Sequence, residues 1–191
     1  TVTVRENATT SEFSAFEVDF LGSGFTAGQL QTGSANLQGS NVEAANVIVE
    51  TIDKIASTEH EQLPNQYRLL IGALNALAKQ SHAPQAIGDS YVMRALALAG
   101  WTPRLGTCVV CGKAEPAYLS IASGGVMCEA DHTTDARRIA PFVLNQFDAL
   151  IRGDWSVLDA APVERVVQEL VEDWGEYYLE RPIRSLRLID S

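Results

Sequence analysis

The chain is organised around the stretch Cys108-Val-Val-Cys111-Gly112-Lys113, which is followed, after fourteen intervening residues, by Cys128-Glu-Ala-Asp131-His132. All three cysteines of the protein lie in this stretch. Two cysteines with two residues between them can direct both thiolates from one turn at a single tetrahedral ion, with metal–sulfur distances of about 2.3 Å. Gly112 suits such a turn, because glycine tolerates the positive φ angle with which the chain can leave it. The stretch therefore predicts a zinc site whose first half is Cys108 and Cys111.

The second half of the site begins at Cys128 and offers two candidates for the fourth ligand. Asp131 follows Cys128 at C-x-x-D spacing, and His132 follows it at C-x-x-x-H spacing. Three cysteines and one histidine form an established structural zinc set, and imidazole is the better partner for zinc. We therefore expect Cys108, Cys111, Cys128 and His132 to bind one structural Zn²⁺, with Asp131 as the alternative fourth ligand.

The residues between the two half-sites indicate a β-hairpin. Short apolar runs at 118–121 and 126–127 flank a Ser-Gly-Gly turn at 123–125. Two such runs around a glycine-rich turn are typical of a hairpin, which would bring Cys128 back toward the first two cysteines. The sequence therefore predicts a zinc-ribbon hairpin at residues 107–133.

Two other chemistries of a C-x-x-C pair agree less well with its surroundings. Zinc deaminases have a proline before the first cysteine of the pair and a glutamate two residues after a histidine. Here Thr107 precedes Cys108, and Gln62 lies two residues after His60. A thioredoxin-like pair requires a βαβ setting, whereas this pair follows a helical region and precedes a third cysteine. A hydrolase or deaminase with an open zinc position is the enzymatic alternative.

The composition limits the class of protein further. The 191 residues include 14 basic and 24 acidic side chains, which give a net charge of −10, and 46% of the residues are hydrophobic. This charge argues against a broad surface for duplex DNA, which requires clustered lysine and arginine. The sequence contains neither a secretion signal nor an apolar run of membrane-spanning length, so no membrane partner is expected. Three cysteines in a metal pattern fit a reducing cytoplasm.

Residues 1–39 differ in kind from residues 40–191. Residues 1–4 and 13–21 have the alternating β-branched and aromatic content of strands, and a Gly, Ser, Thr and Gln-rich loop region follows to residue 39. Two or three strands cannot bury a core alone, so this segment is expected to be part of a β-module. The predicted fold class is mainly α: a helical bundle with an inserted zinc-ribbon hairpin and a short N-terminal β segment.

Helical spacing of apolar residues begins at Ser40, where Ser40 and Glu43 form a capping box. Proline and glycine then mark most helix boundaries. Helices are predicted at residues 42–55, from Pro64 to 78, from Pro84 to Gly100, from Pro141 to a stop at Gly153, and from Pro162 to 178. The apolar stripe of the third helix contains Tyr91, Ala95, Leu96 and Ala99.

The order of these parts resembles the RecO family of bacterial recombination mediators. The residues that carry the resemblance are RALALAGWTPRLGTCVVCG at 94–112, GGVMC at 124–128 and RPIRSLR at 181–187, and the similarity extends over residues 40–191. The second half-site of that family is typically C-x-x-C, so that Asp131 occupies the position of the last cysteine. The OB-fold that precedes the helical domain in the family is only partly present in residues 1–39.

The resemblance implies a non-enzymatic DNA repair and homologous recombination mediator of the RecF pathway. Such a protein binds single- and double-stranded DNA, mainly through its OB-fold, anneals strands, and acts indirectly on RecA by helping to load it. It also contacts RecR and the acidic C-terminal tail of single-stranded-DNA-binding protein. Candidate residues for the tail are Arg94, Arg181, Arg184 and Arg187. The alternative in another class is a zinc-ribbon interaction module of transcription or translation.

Overall fold

The computed structural model describes residues 2–7, 12–18, 40–58 and 64–188. This part of the chain is mainly helical with a small inserted sheet, which confirms the predicted fold class. Within those ranges, none of the helices combines the length and apolarity needed to cross a membrane. The helices are α1 Ser40–Thr58, α2 Pro64–Lys79, α3 Pro84–Leu98, α4 Pro141–Arg152, α5 Trp155–Leu158 and α6 Arg165–Leu179, and a 3-10 turn follows at Arg184–Leu188.

Five strands form two small antiparallel sheets in the described ranges. At the N-terminal end, β1 Val2–Asn7 pairs with β2 Glu12–Val18, so that Val2 lies opposite Val18. The predicted loops of residues 22–39 lie outside the described residues, and the partial OB-fold and the division at residue 39 stay predictions. The second sheet has the order β4-β3-β5 and consists of β3 Tyr118–Ser120, β4 Gly125–Met127 and β5 Arg137–Arg138.

Most predicted helix boundaries agree with the structure, but the start of α6 does not. The sequence predicts a start at Pro162, whereas the helix begins at Arg165. The amide of Gln146 explains the difference, because its Nε2 donates to the Pro162 carbonyl at 3.0 Å and its Oε1 accepts from the Glu164 N–H at 3.0 Å. These two hydrogen bonds hold residues 162–164 extended against α4. The short α5 was not predicted; the carboxylate of Asp154 caps it by accepting from the Ser156 N–H.

Helix α3 lies at the centre of the bundle and is buried on more than one face. One apolar cluster joins it to α1 and α2 through Ile87, Tyr91 and Ala95. A second cluster joins it to α4 and α6 through residues that include Val92 and Leu96. The predicted stripe residues Tyr91, Ala95 and Leu96 are buried, but burial extends beyond the stripe because both apolar clusters include residues of this helix.

The inserted sheet is attached to the helical bundle at its β3–β4 end. Leu119 and Val126 belong to the same apolar cluster as α4 and α6. The segment before the hairpin adds backbone pairing, since the Arg104 carbonyl accepts from the Val126 N–H at 2.9 Å. A side chain at Gly125 would not fit there, because its Cβ would lie 2.3 Å from the Arg104 oxygen. The hairpin thus has one end in the core and the other, which carries the cysteines, directed away from it.

A carboxylate on α1 holds the C-terminal 3-10 turn. Glu50 accepts from the backbone N–H of Arg184 at 3.0 Å and from that of Ser185 at 2.9 Å, and the Ser185 hydroxyl also donates to it. Lys54 pairs with the same carboxylate at 2.6 Å. Partial burial alone would raise the pKa of Glu50, but the hydrogen bonds from Lys54, Ser185 and Arg184 outweigh it and lower the pKa from 4.5 to about 2. We call this arrangement the Glu50 clamp.

The Glu50 clamp leads to a pH-dependent prediction. Because the pKa is lower in the folded than in the unfolded chain, the carboxylate stabilises the fold fully above pH 4.5, and this contribution is lost as the pH falls toward 2. Glu50→Gln should lower the free energy of unfolding at neutral pH by about 1.5–3 kcal/mol, which is the usual value of hydrogen bonds to a charged group. The difference from the wild type should shrink over the acidic window. Urea unfolding at a series of pH values measures it.

The matched control is Asp53→Asn, which removes a carboxylate from an exposed position of the same helix. This substitution should change the free energy of unfolding little, and the small change should not show the same dependence on pH. A wild-type advantage over Glu50→Gln that stayed constant down to pH 2 would contradict the proposed charge on the clamp.

Candidate metal centre

The first half of the centre is a tight turn at Cys108–Lys113, and Gly112 allows the chain to adopt it. The Cys108 N–H donates to the Lys113 carbonyl at 2.8 Å, and the Gly112 N–H donates to the Cys108 carbonyl at 2.9 Å. Gly112 has a φ of 76°, as its place after the pair predicts. Val110 lies at the tip of the turn with 63% of its surface exposed. The turn therefore places the sulfurs of Cys108 and Cys111 on the same side.

The second half lies at the end of β4. Cys128 follows the strand directly, and the Val109 N–H donates to the Val126 carbonyl at 2.9 Å, which ties the first turn to β4. After Cys128 the chain turns back, and the Asp131 N–H approaches the Cys128 carbonyl at 3.3 Å. This turn directs the Asp131 carboxylate toward the three sulfurs.

The four side chains Cys108, Cys111, Cys128 and Asp131 come together, with all ligand atoms within 4.8 Å of one another. The sulfurs of Cys111 and Cys128 are 3.7 Å apart, and a tetrahedral zinc with bonds of about 2.3 Å separates neighbouring sulfurs by about 3.8 Å. Oδ2 of Asp131 lies 3.1 Å from the Cys128 sulfur and 3.9 Å from that of Cys108, on either side of the roughly 3.5 Å expected between a sulfur and an oxygen ligand. The arrangement is compatible with zinc.

Electrostatic effects within the centre also favour a cation. Backbone N–H groups, first that of Cys111 and then those of Cys128 and Val110, lower the pKa of the Cys108 thiol to about 7 despite its burial. The Asp131 carboxylate raises the pKa of Cys111 to about 12, and the thiols of Cys111 and Cys128 in turn lower the pKa of Asp131. Four groups that become negative on deprotonation thus converge on one point. A bound cation is what allows all four to ionise together.

His132, the fourth ligand favoured from the sequence, lies outside this group of four. Its ring stacks on Tyr118 with the centroids 3.9 Å apart and the planes 4° from parallel. Its Nδ1 lies 2.9 Å from the Glu129 carbonyl oxygen. The aromatic stack and this contact direct the imidazole along the hairpin surface, whereas the C-x-x-D spacing directs Asp131 inward. The geometry thus favours Asp131, the alternative ligand.

A groove between α2 and α3 contains one of the predicted partner-binding residues. This Arg68–Arg94 groove is lined by Arg68, Leu69, Arg94, Leu98 and Ile151, among others, and has a volume of about 470 Å³. Within the described part of the chain neither arginine forms an ion pair. Arg68 was not predicted, because no spacing in the sequence links it to Arg94 and only the packing of α2 on α3 brings the two together.

The other predicted arginines lie elsewhere. Arg181 and Arg184 follow α6 and are exposed, and the backbone N–H of Arg184 belongs to the Glu50 clamp. The side chain of Arg187 lies outside the described residues. The structure therefore does not bring Arg181 or Arg184 into the groove with Arg94.

Comparisons with known proteins match this chain over its helical part. The family described as "Recombination protein O C terminal" matches residues 38–187. The curated DNA repair protein RecO of Bifidobacterium longum subsp. infantis is 87% identical over 149 residues, which cover 78% of this chain and 62% of that protein. The RecO protein of Bifidobacterium adolescentis is 56% identical over 155 residues, covering 77% of this chain and 63% of that protein.

A more distant relative matches over the same share of the chain. The DNA repair protein RecO of Streptomyces coelicolor is 36% identical over 152 residues, which cover 78% of this chain and 61% of that protein. The chain thus spans about three-fifths of the length of these curated relatives.

Proposed function

Because the chain belongs to the RecO family, we propose that residues 40–188 are the metal-containing helical part of a DNA repair and recombination mediator that works by binding rather than catalysis. The observation that carries this proposal is the family match over residues 38–187. The donor set of the metal centre supports it, because four protein side chains converge and structural zinc fills all its positions with protein atoms. A catalytic zinc would keep a position for water.

The proposed resident metal is one Zn²⁺ bound by Cys108, Cys111, Cys128 and Asp131. Thiolates are soft ligands that favour zinc over magnesium and calcium, and a carboxylate oxygen is an accepted zinc ligand. In this arrangement the metal joins the turn after Cys108 to the end of β4. Its role is to order the outer end of the hairpin, which has little apolar content of its own.

The two candidates for the fourth ligand can be separated by matched variants. Asp131→Ala should accelerate zinc release to a chromogenic chelator, because it removes an oxygen that lies 3.1 Å from the Cys128 sulfur. His132→Ala is the control and should leave the release rate close to that of the wild type, since its ring contacts Tyr118 instead. The rate difference should be at least about tenfold, the lower bound for loss of even an outer-shell partner. Faster release from His132→Ala would assign the ligand to the histidine.

The Arg68–Arg94 groove is the proposed site for the acidic C-terminal tail of single-stranded-DNA-binding protein. The groove combines two cationic side chains with apolar surface, since Leu98 is 48% exposed and Leu69 and Ile151 line it. A tail that carries carboxylates next to apolar residues fits both features. The net charge of −10 opposes such a ligand at long range, so local arginines have to supply the attraction.

The remaining partners are proposed for the mediator as a whole. Single- and double-stranded DNA would bind mainly through the N-terminal OB-fold, because the described helical part has scattered basic residues that are often paired with acidic ones. RecR would be the protein partner, and RecA would be loaded indirectly.

Binding of a fluorescently labelled tail peptide tests the groove by anisotropy. Arg94→Ala should weaken the binding of the peptide by about tenfold, or ~1.4 kcal/mol. Higher salt should weaken its binding to the wild type too. The control is Arg165→Ala, which removes an exposed arginine that pairs with Glu169 on α6. Equal affinities for wild type and Arg94→Ala would show that the tail binds elsewhere. A labelled single-stranded oligonucleotide should bind this acidic chain only weakly at physiological salt.

A further inference from the structure

The three cysteines of the metal centre differ in their exposure to solvent. Cys111 is exposed, whereas Cys108 is fully buried and Cys128 is 5% exposed. Cys108 and Cys128 pack with Met127 in a small apolar cluster against Val109 and Tyr118. Cys111 is therefore the cysteine of the three that a small solute can approach from the solvent, whereas the hairpin covers Cys108 and Cys128.

We propose that Cys111 is a peroxide-reactive site, and that its oxidation forms a Cys111–Cys128 disulfide that dismantles the metal centre. This inference rests on the proposed zinc site. Its geometric support is the 3.7 Å distance between the two sulfurs, which has to shorten to only about 2.05 Å for a disulfide. Cys128 lies next to the exposed Cys111 as the second thiol that such a reaction requires, and an accessible cysteine beside a resolving cysteine is typical of redox sensors.

The reaction uses hydrogen peroxide as the oxidant and balances without another reagent. Metal ligation keeps both thiols deprotonated, and the thiolate is the nucleophile. The Cys111 sulfur attacks one peroxide oxygen, the O–O bond breaks, and hydroxide leaves, so that Cys111 becomes a sulfenic acid. The Cys128 sulfur then attacks the Cys111 sulfur, the S–O bond breaks, and a second hydroxide leaves. Both sulfurs are oxidised, both peroxide oxygens are reduced, and solvent protonates the two hydroxide ions.

The disulfide removes two of the four ligands at once. Cys108 and Asp131 are left, and two side chains do not complete the four-coordinate set that structural zinc requires. The structural change should be confined to the outer end of the hairpin. Leu119 and Val126 hold β3 and β4 in the helical core, and this packing does not involve the sulfurs. The site therefore acts as a reversible switch at one end of a fold that otherwise persists.

Titration of the zinc-loaded protein with hydrogen peroxide tests this inference, with a chromogenic chelator to follow zinc and peptide mapping to locate the sulfur bonds. One equivalent of peroxide should release one equivalent of zinc and yield one Cys111–Cys128 disulfide, while the helical circular dichroism stays nearly unchanged. Dithiothreitol and added zinc should restore the site. In the wild type, dimedone present during oxidation should label Cys111 before the other two cysteines.

Cys111→His is the informative variant, because imidazole can replace a thiolate as a zinc ligand but cannot be oxidised to a disulfide. Its zinc release by peroxide should be at least about tenfold slower than that of the wild type. If the purified protein contained no zinc, both the proposed metal site and this inference would be overturned. Three results with the zinc-loaded wild type would overturn this inference alone. They are retention of the metal at several equivalents of peroxide, a disulfide that includes Cys108, and first labelling by dimedone at Cys108 or Cys128.

Discussion

Cys108→Ser should reduce the zinc content from one per chain to nearly none and unfold the outer end of the hairpin. The Cys108 sulfur is fully buried and receives backbone N–H groups from both halves of the centre, so that no solvent ligand can easily take its place. Loss of an outer-shell partner already costs roughly 10–100-fold in metal affinity, and loss of a direct ligand should cost more. Since metal binding contributes to folding in such sites, the thermal stability of the hairpin should fall with the metal.

Elemental analysis and limited proteolysis together measure both effects. New cleavage sites should appear at residues 108–113 and 128–132, while β3 and β4 stay protected by the core packing of Leu119 and Val126. Val110→Ser is the matched control, because it changes an exposed residue between the same two cysteines. It should keep its zinc. Retention of one zinc per chain by Cys108→Ser would remove this cysteine from the ligand set.

Trp174→Ala should cause a large loss of stability in the helical core. Trp174 is fully buried, and its indole N–H donates to the Trp101 carbonyl at 3.0 Å, which joins α6 to the segment before the hairpin. Its ring also packs edge-on to Phe147 on α4, with the centroids 6.2 Å apart. Replacement of a buried tryptophan by alanine costs about 3–5 kcal/mol, a large share of the roughly 5–15 kcal/mol that stabilises a typical domain.

Denaturant unfolding at constant pH and zinc concentration gives the magnitude. Tyr177→Ala is the control, because it removes an aromatic ring from the same helix at a position that is 51% exposed. Its effect should be within about 0.5–1 kcal/mol. If the free energy of unfolding fell by the same small amount in both variants, Trp174 would not have the central packing role assigned to it.

The convergence of the three cysteines on a hairpin could be predicted from the sequence, but the side chain that lies beside them as the fourth member of the group could not. The spacing of Cys108, Cys111 and Cys128 and the Ser-Gly-Gly turn restrict the backbone enough to bring the three sulfurs together. Asp131 and His132 both lie within reach of Cys128 along the chain. What separates them is a non-local contact, the stack of His132 on Tyr118, and no pattern of adjacent residues reports such a contact.

The burial of α3 shows a second limit of the sequence. Asp89 and Ser90 appear as a polar face in a helical projection, yet both are buried. The Ser90 hydroxyl donates to the Leu150 carbonyl on α4 at 2.8 Å, and Gln85 donates to Asp89 at 3.0 Å. The partner of Ser90 lies on α4, whereas that of Asp89 lies one turn earlier on α3, and such hydrogen bonds allow both polar side chains to be buried. The contact between Ser90 and α4 is decided by the tertiary packing. Proline and glycine predicted where the helices lie along the chain, but they did not predict which helix lies at the centre of the bundle.

The Glu50 clamp has a kinetic consequence for the formation of this fold. Its two partners on the 3-10 turn, Arg184 and Ser185, are separated from Glu50 by 134 and 135 residues along the chain. Closing a loop of that length early would cost about 4 kcal/mol or more in chain entropy before other contacts offset it. The clamp should therefore form after the rate-limiting step of folding, once the helices between its partners have already shortened the loop. A clamp that forms so late acts mainly as a barrier to unfolding, so its removal should raise the unfolding rate and leave the folding rate nearly unchanged.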